Sequence, residues 1–534
     1  MSESSNFFND YFEITNRRGT DSFKWDFVLN LYGEDILPMW VADMDFKTSD
    51  RVIETLLKRA QHGIFGYTYR SQEYYDKIIS WYKERYGTHI EREWIVNGPG
   101  VVPMIALAIN VLTQPGDKII IQPPVYPPFF RVVENNGRRL VKNYLKKSFD
   151  GNLINWEIDF ENLEKIIDDR TKLIIISNPH NPVGRVWTKE ELQRLYEICL
   201  KYNITIISDE IHSDFVYHPN KFVSFLDIGL DHVIVFNSPG KTFNIAGLTN
   251  AYGIIPDKKL RNAFKNLVEN LELLVGNIFS IEALKAAYSS PEWVHNLITY
   301  LKHNRDYICE YISEHMPILK FSKPQGTYLL WVDCSLTNLD NPQKFFLEKG
   351  RIYLSDGAEF GDRNFIRINF ACPLPILREG LERMKKAYDS ALVFEVFKLP
   401  DERFEICKKI REEVFVKEQG IDQELEIDGK DTQAIHFILK HFSTPIGVAR
   451  ARDLGEYWKV ERVAVLKNFR KFGYGKRLME HIEFFLENID KKKIVLNAQK
   501  NVKDFYLKIG YEQIGNEFLE AGISHVRMEK VVKQ

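Results

Sequence analysis

The sequence has little cysteine. Its 534 residues include five, Cys199, Cys309, Cys334, Cys372 and Cys407, an odd number with no CxxC pair. This excludes a disulfide scaffold, argues against a zinc or other metal site, and fits a reducing compartment. Long hydrophobic runs are missing too. The longest, Val101 to Leu112, is interrupted by Pro103 and Asn110 and is too short to span a bilayer. The opening Met1-Ser-Glu-Ser-Ser has neither a basic region nor an apolar stretch, so no signal peptide is expected and the expected location is cytoplasmic. Charge of one sign is absent: 72 Lys and Arg stand against 74 Asp and Glu. From Glu395 onward there are 26 basic and 24 acidic residues, so neither part of the chain favours nucleic acid or an acidic membrane as partner. No internal repeat, low-complexity tract or Gly/Ser-rich linker interrupts the sequence. What remains is an ordinary folded composition, 44% hydrophobic and 27% charged, at a length that suits two to four domains.

From about Asp26 to Leu392 the pattern is α/β. Lys172–Ser177, Ile204–Ser208 and His232–Phe236 read as buried strands, each ending in a polar or Gly/Pro cluster. Thr188, with Glu191 three residues on, has the capping-box spacing and predicts a helix to about Tyr202. Alternating strands and helices predict a mainly parallel central sheet, whose ligands bind beyond the carboxyl ends of the strands. Those ends carry Asn181, Asp209, Ser238 and Lys241. A pyridoxal phosphate enzyme needs a lysine for the aldehyde, an acid for the pyridine nitrogen, and backbone amides for the phosphate. Lys241, Asp209 and the Gly98-Pro-Gly100 turn before an apolar helical run match those needs. Singly, each is an ordinary solvated lysine, helix cap or turn; their order raises the odds but does not name the cofactor.

Several motifs occur in one order: Trp40-Val-Ala-Asp-Met-Asp-Phe46, Gly98-Pro-Gly-Val101, Gln122-Pro-Pro-Val-Tyr-Pro127, Asn178-Pro-His-Asn-Pro-Val-Gly184, Asp209-Glu-Ile-His212, Ser238-Pro-Gly-Lys-Thr-Phe-Asn244 and Arg367-Ile-Asn369. Over about residues 5–392 this resembles the fold-type I pyridoxal phosphate enzymes of aminotransferase class I/II. Within them it is most similar to the MalY/PatB-type cystathionine β-lyases, or C–S lyases. The resemblance implies a mainly parallel sheet flanked by helices plus a small α/β subdomain. It implies Lys241 as Schiff-base lysine and acid/base at Cα, Asp209 at the pyridine nitrogen, and Asn181 at the ring's 3-oxygen. Tyr126 would stack on the ring, and His212 would fill the motif position where the wider family has tyrosine. Gly100, Val101 and Ser238 would hold the phosphate. Arg367 would clamp the substrate α-carboxylate, with Asp43 also at the substrate. Tyr67 would reach across from a partner subunit, so a homodimer is expected. Two departures stand out: Thr249 replaces the arginine usual eight residues after the lysine, and Gly240 replaces a serine.

A second unit is expected from about residue 394 to 534. Val460–Leu466 reads as a strand, Lys467–Gly475 as a basic glycine loop, and Leu478, Met479, Ile482 and Phe485 recur at helical spacing. Strand, glycine loop and helix is what a pyrophosphate site requires, although GxG with basic neighbours is also a common solvated turn. Arg470-x-x-Gly473-x-Gly475, Leu496–Gln499, Phe505–Tyr511 and Ile410–Gly420 together resemble the GNAT N-acetyltransferases. That similarity implies acetyl-CoA on Arg470, Gly473, Gly475, Asn497 and the Val463 and Val465 backbone, with Tyr506 as the acid for the departing thiolate. Glu461, Glu418, His436 and His525 are open choices for the base. The combined expectation is a lyase giving thiol, pyruvate and ammonia, fused to an acetyltransferase. An aminotransferase, or a non-catalytic metabolite sensor, is the alternative.

Overall fold

The computed structural model describes residues 12–273, 276–490, 493–520 and 522–531. Met1–Tyr11, on which the absence of a leader was read, and the last three residues of the expected second domain lie outside the described residues. The chain divides into two compact units. One is Met1–Ser313, Leu319–Ser335 and Asp340–Lys386; the other is Glu314–Ile318, Leu336–Leu339 and Ala387–Gln534.

The first unit is built on a seven-stranded sheet. In spatial order its strands are Ile95–Gly98, Ala251–Ile254, Val233–Asn237, Thr205–Asp209, Thr171–Ser177, Lys118–Ile121 and Arg139–Lys142. All neighbouring pairs are parallel except those of Ala251–Ile254, which runs antiparallel to both its neighbours. The central strands are covered on both faces, which is why Leu173–Ile176 is an unbroken apolar run rather than an alternating one. Met104, Ile105, Ala108 and Ile109 of the helix Val101–Leu112 pack on Ile175, Ile207, Ile234 and Phe236. The predicted capping box is present: Thr188 accepts from the Glu191 amide and Glu191 from the Thr188 amide, opening the helix Lys189–Lys201.

A second, six-stranded sheet forms the smaller subdomain, in the order Ser355–Asp356, Phe365–Asn369, Leu329–Asp333, Lys320–Ser322, Leu153–Glu157 and Lys146–Asp150. Its strand Phe365–Asn369 carries Arg367.

The other unit has a single seven-stranded sheet. Its order is Leu392–Lys398, Ile435–His441, Thr444–Asp453, Tyr457–Val465, Lys493–Gln499, Ile523–Lys530 and Glu512–Glu520. One parallel pair interrupts an antiparallel sheet: Tyr457–Val465 beside Lys493–Gln499, paired only from Tyr457–Lys493 to Val460–Leu496. Beyond that the two strands part. The helix Tyr474–Ile489 packs Leu478, Met479 and Ile482 on one face. Cys407 and Ile410 of the helix Phe404–Arg411, with Val414, cover the other. The segment 410–420, expected as one helix, is α-helical only to Arg411 and then widens to π geometry over Glu412–Glu418. The change falls directly after Arg411, whose guanidinium is anchored to Glu426 and Asp431.

Gly357 shows how tightly the subdomain is closed around Arg367. A β-carbon there would lie 2.3 Å from the Phe365 carbonyl oxygen and 2.4 Å from that of Asp362. Both contacts are backbone and cannot swing aside. Gly357→Ala is expected to destabilise the first unit by about 1–3 kcal/mol, the range for overpacking. A lowered urea midpoint at unchanged slope would verify this.

Candidate functional site

Four loops of the first unit meet where the parallel strands end. Asp209 is the last residue of its strand and is buried; among the described residues its carboxylate takes a hydrogen bond from the Ile211 amide at 3.1 Å and bonds no side-chain cation. Burial, only partly offset by that amide and by Lys241, raises its pKa to about 7. Lys241 lies in the short helix Pro239–Thr242, where it donates from Nζ to the Ala42 carbonyl. Burial lowers its pKa to about 8; Asp43 and Asp209 oppose this and Arg367 adds to it. His212 is buried, with Nδ1 unpartnered, and is held neutral by burial and by the Lys241 and Arg367 charges, its pKa falling to about 3.

Arg367 is buried with no carboxylate bonded to it among the described residues. Its Nη1 donates to Asn181 Oδ1 at 3.0 Å, and its Nη2 to the Trp40 carbonyl at 3.0 Å and Ser355 Oγ at 3.1 Å. Its Nε has no partner, and the guanidinium lies 4.6 Å from the Phe360 ring centroid. A guanidinium fixed in plane yet lacking an anion is poised for one. Tyr126 is half-buried in the loop before the helix Pro128–Glu134, and both Asp209 and Arg367 act on its hydroxyl.

Gly100 caps the helix Val101–Leu112 with no side-chain cap, so its first-turn amides, including Val101, remain free for an anion. Ser238 is the N-cap of the helix Pro239–Thr242. Its Oγ donates to the Asn250 carbonyl and accepts from the Gly240 amide, so the hydroxyl is engaged within its own turn. Arg17 binds the Asp43 carboxylate at 2.7 Å. Tyr67 is 99% exposed, on a stretch where Ile64, Phe65 and Tyr69 are exposed as well.

The segment Trp40–Phe46 was legible as a motif, but its supports were not. Asn369 donates to the Val41 and Asp43 carbonyls, and Asn244 to those of Met44 and Phe46. Asp45 is held by Lys24 at 2.6 Å, with Arg17 and Trp25 also bonded to it. Asn244 and Asn369 sit inside the quoted motifs, but bonds to backbone carbonyls leave no signature in residue type. Asn97 Oδ1, Asn178 Oδ1 and Arg367 Nε, on or directly after strands of the two sheets, and His212 Nδ1, three residues past the strand of Asp209, are buried without partners. Orphaned buried polar atoms of this kind call for a polar ligand.

In the other unit Gly473, at φ +84°, is the N-cap of the helix Tyr474–Ile489, and no side chain caps it. A β-carbon on Gly475 would lie 3.4 Å from the Phe505 ring. Val463 and Val465 lie past the last parallel pair, where the strands have parted. Arg470 is occupied: Nε donates to the Val465 carbonyl, and Glu418 takes both Nη groups at 2.5 and 2.7 Å. Asn497 points to the sheet face away from that helix, its neighbours Leu496 and Ala498 being in the core on the helix side. Tyr506 is buried and its pKa is pushed up by burial. Of the candidate bases, His436 donates from Nε2 to the Asp431 carbonyl at 3.0 Å, and burial lowers its pKa. His525 is likewise bonded to the Ile523 carbonyl. Glu461 binds Arg450, Arg452 and Lys459. Burial raises its pKa, but Arg452, Arg450 and Lys459 outweigh that and hold it at about 2, too low for a base.

The geometry of the first unit is that of an α/β enzyme with a buried amine, an unpaired acid and an anion-seeking arginine at the strand ends. The chain belongs to the aminotransferase class I and II family, which residues 34–384 match. Residues 399–532 match the acetyltransferase (GNAT) domain. Cystathionine beta-lyase PatB of Bacillus subtilis is 41% identical over 70% of this chain and 97% of its own length. Protein MalY of Escherichia coli is 32% identical over 70% of this chain and 97% of its own. Among solved structures, cystalysin from Treponema denticola, which contains pyridoxal 5′-phosphate, superposes with a TM-score of 0.69 at 34% identity, covering 71% of this chain and 99% of that one. The PLP-bound C–S lyase from Staphylococcus hominis gives 0.66 at 32% identity, covering 70% and 97%.

The depressed pKa of Glu461 has a sign. Its folded value lies below the ordinary value of 4.5, so its contribution is present above about pH 4.5 and is lost as pH falls toward 2. At about 1.4 kcal/mol per pH unit, this is at most roughly 3.5 kcal/mol. Acid titration of the second unit's melting should show this loss, and Glu461→Gln should flatten it.

Proposed function

We propose that the first unit is a pyridoxal phosphate-dependent C–S lyase acting on L-cystathionine or a related L-cysteine S-conjugate, and that the second transfers acetyl groups from acetyl-CoA. The observation that carries the first reading is the buried Lys241 amine beside an acid and an arginine that bond no counter-ion of their own. Pyridoxal phosphate, when bound, supplies an aldehyde and a ring able to take up the electron pair of the substrate's Cα–H bond. The residues present fit it: Lys241 for the aldehyde, Asp209 for the ring nitrogen, Asn181 and Tyr126 beside the ring, and the amides after Gly100 for the phosphate.

Lys241 is the base at Cα. A pKa near 8 leaves a working fraction neutral at physiological pH while keeping the amine basic enough to take the proton. Asp209 costs free energy as a lone buried anion, and a protonated ring nitrogen offsets that cost. Arg367 takes the α-carboxylate, oriented by Trp40, Ser355 and Asn181. His212, held neutral, adds no third cation to the site. Overall, a cysteine conjugate and water give thiol, pyruvate and ammonia. With Thr249 in place of an arginine, phosphate binding rests on backbone amides and hydroxyls. Tyr67 on its exposed apolar stretch supports a homodimer in which it reaches the partner's site. The functional boundaries that go with this reading are 1–392 and 394–534.

Purified protein with pyridoxal phosphate and no keto acid is expected to release pyruvate from L-cystathionine over many turnovers, and Lys241→Ala to abolish it. Amino transfer only after a keto acid is added would replace the lyase reading with an aminotransferase. Because only a neutral amine attacks an aldehyde, capture of added pyridoxal phosphate by cofactor-free protein should speed up with pH and level off above about 8. Calorimetry with CoA tests the second unit, and no binding heat would remove its reading.

A further inference from the structure

A cavity of about 390 Å³ lies on the second unit's sheet, on the face away from the helix Tyr474–Ile489. A register shift between Ile514 and Phe518, with Gly515 at φ +70°, opens the outer hairpin above it. Val495, Ile514 and Phe518 give it an apolar wall; Lys459, Asn497 and Arg527 give it a polar one. The two cations differ. Lys459 is paired with Glu461 at 3.1 Å. Arg527 lies 5.2 Å from the centroid of Tyr457, and no carboxylate bonds it among the described residues. A guanidinium steadied on an aromatic face beside an apolar wall suits a carboxylate carried on an apolar body. The volume is at the small end of ligand pockets and suits an amino acid.

Position supplies the second half of the argument. The parallel pairing of Tyr457–Val465 with Lys493–Gln499 ends at Val460–Leu496. Asn497 is the next residue, and its side chain lines the cavity. Arg527 is paired with Asn497, so a ligand held by Arg527 sits at the level where the two parallel strands begin to part.

We propose that this cavity is the acceptor site of the acetyl transfer, and that the acceptor is an α-amino acid with an apolar side chain whose carboxylate is held by Arg527. The proposal rests on the acetyl-CoA reading above. The amine nitrogen attacks the thioester carbonyl carbon, an N–C bond forms and the C–S bond breaks. The proton lost by the amine ends on the departing thiolate, giving the N-acetyl amino acid and CoA thiol.

The test uses the full chain with acetyl-CoA and reads CoA thiol release. The acceptors are L-leucine and L-phenylalanine against isopentylamine and phenethylamine, which keep the side chain and lack the carboxylate. None contains sulfur, so the lyase releases no thiol from them. Losing the carboxylate should lower kcat/KM at least about 30-fold, equivalent to about 2 kcal/mol. Arg527→Gln, at an exposed position, should raise KM for the amino acids by a comparable factor while calorimetric CoA affinity stays within about twofold. Equal rates with and without the carboxylate, an unchanged KM in the variant, or no acetylation of either acceptor class would overturn the proposal with CoA binding intact. Absence of CoA binding would remove the acetyl-CoA reading itself, and the proposal with it.

Discussion

The first unit's chemistry depends on one short extended segment. Trp40 and Ala42, two residues apart, present carbonyls to Arg367 and Lys241 respectively. The same stretch therefore orients the anion-seeking cation and the buried amine. An isolated extended segment has no ladder to hold it. Here Asn244 and Asn369 supply the hydrogen bonds that a neighbouring strand would, and the buried Lys24–Asp45 pair fixes its end. The Asn369 side chain belongs to the strand of Arg367, and that of Asn244 follows Lys241 by three residues. Each group that reads the segment thus comes with its own clamp on it.

The second unit solves a different problem. Arg450 is almost wholly buried, bonded to Asp428, Asp431 and Glu461, while Arg411 ties Asp431 to Glu426. Buried charges in such a network do not add much net stability, but none can be removed without stranding its partners. The network fixes 426–431 against the two central strands and keeps Glu461 ionised.

Much of this was legible in the sequence. The strand Thr171–Ser177 is apolar throughout because both its faces are covered, and Thr188 with Glu191 marked its helix to within a residue. Lys241, Asp209 and Arg367 were visible because motif order is a linear property. What was not visible depends on acceptors common to every residue. Nothing in the identity of Trp40 or Ala42 says that its carbonyl is used, and Ser238 gave no sign that its hydroxyl would donate to the Asn250 carbonyl. The pairing of Glu418 with Arg470 joins residues 52 apart across a π-widened turn, which periodicity does not show. The Arg527 cavity depends on a register shift, and a shift of this kind is set by pairing in three dimensions rather than by composition.

The Glu418–Arg470 pair has a consequence for any anion that comes to the glycine loop. Arg470 is not a bare cation there; its two outward donors already hold a carboxylate. Arrival of a phosphate is then an exchange of one anion for another. The released glutamate regains its hydration as the incoming group loses its own, so much of the desolvation cost cancels. A singly charged ligand gains little in such a swap, whereas a doubly charged one gains more.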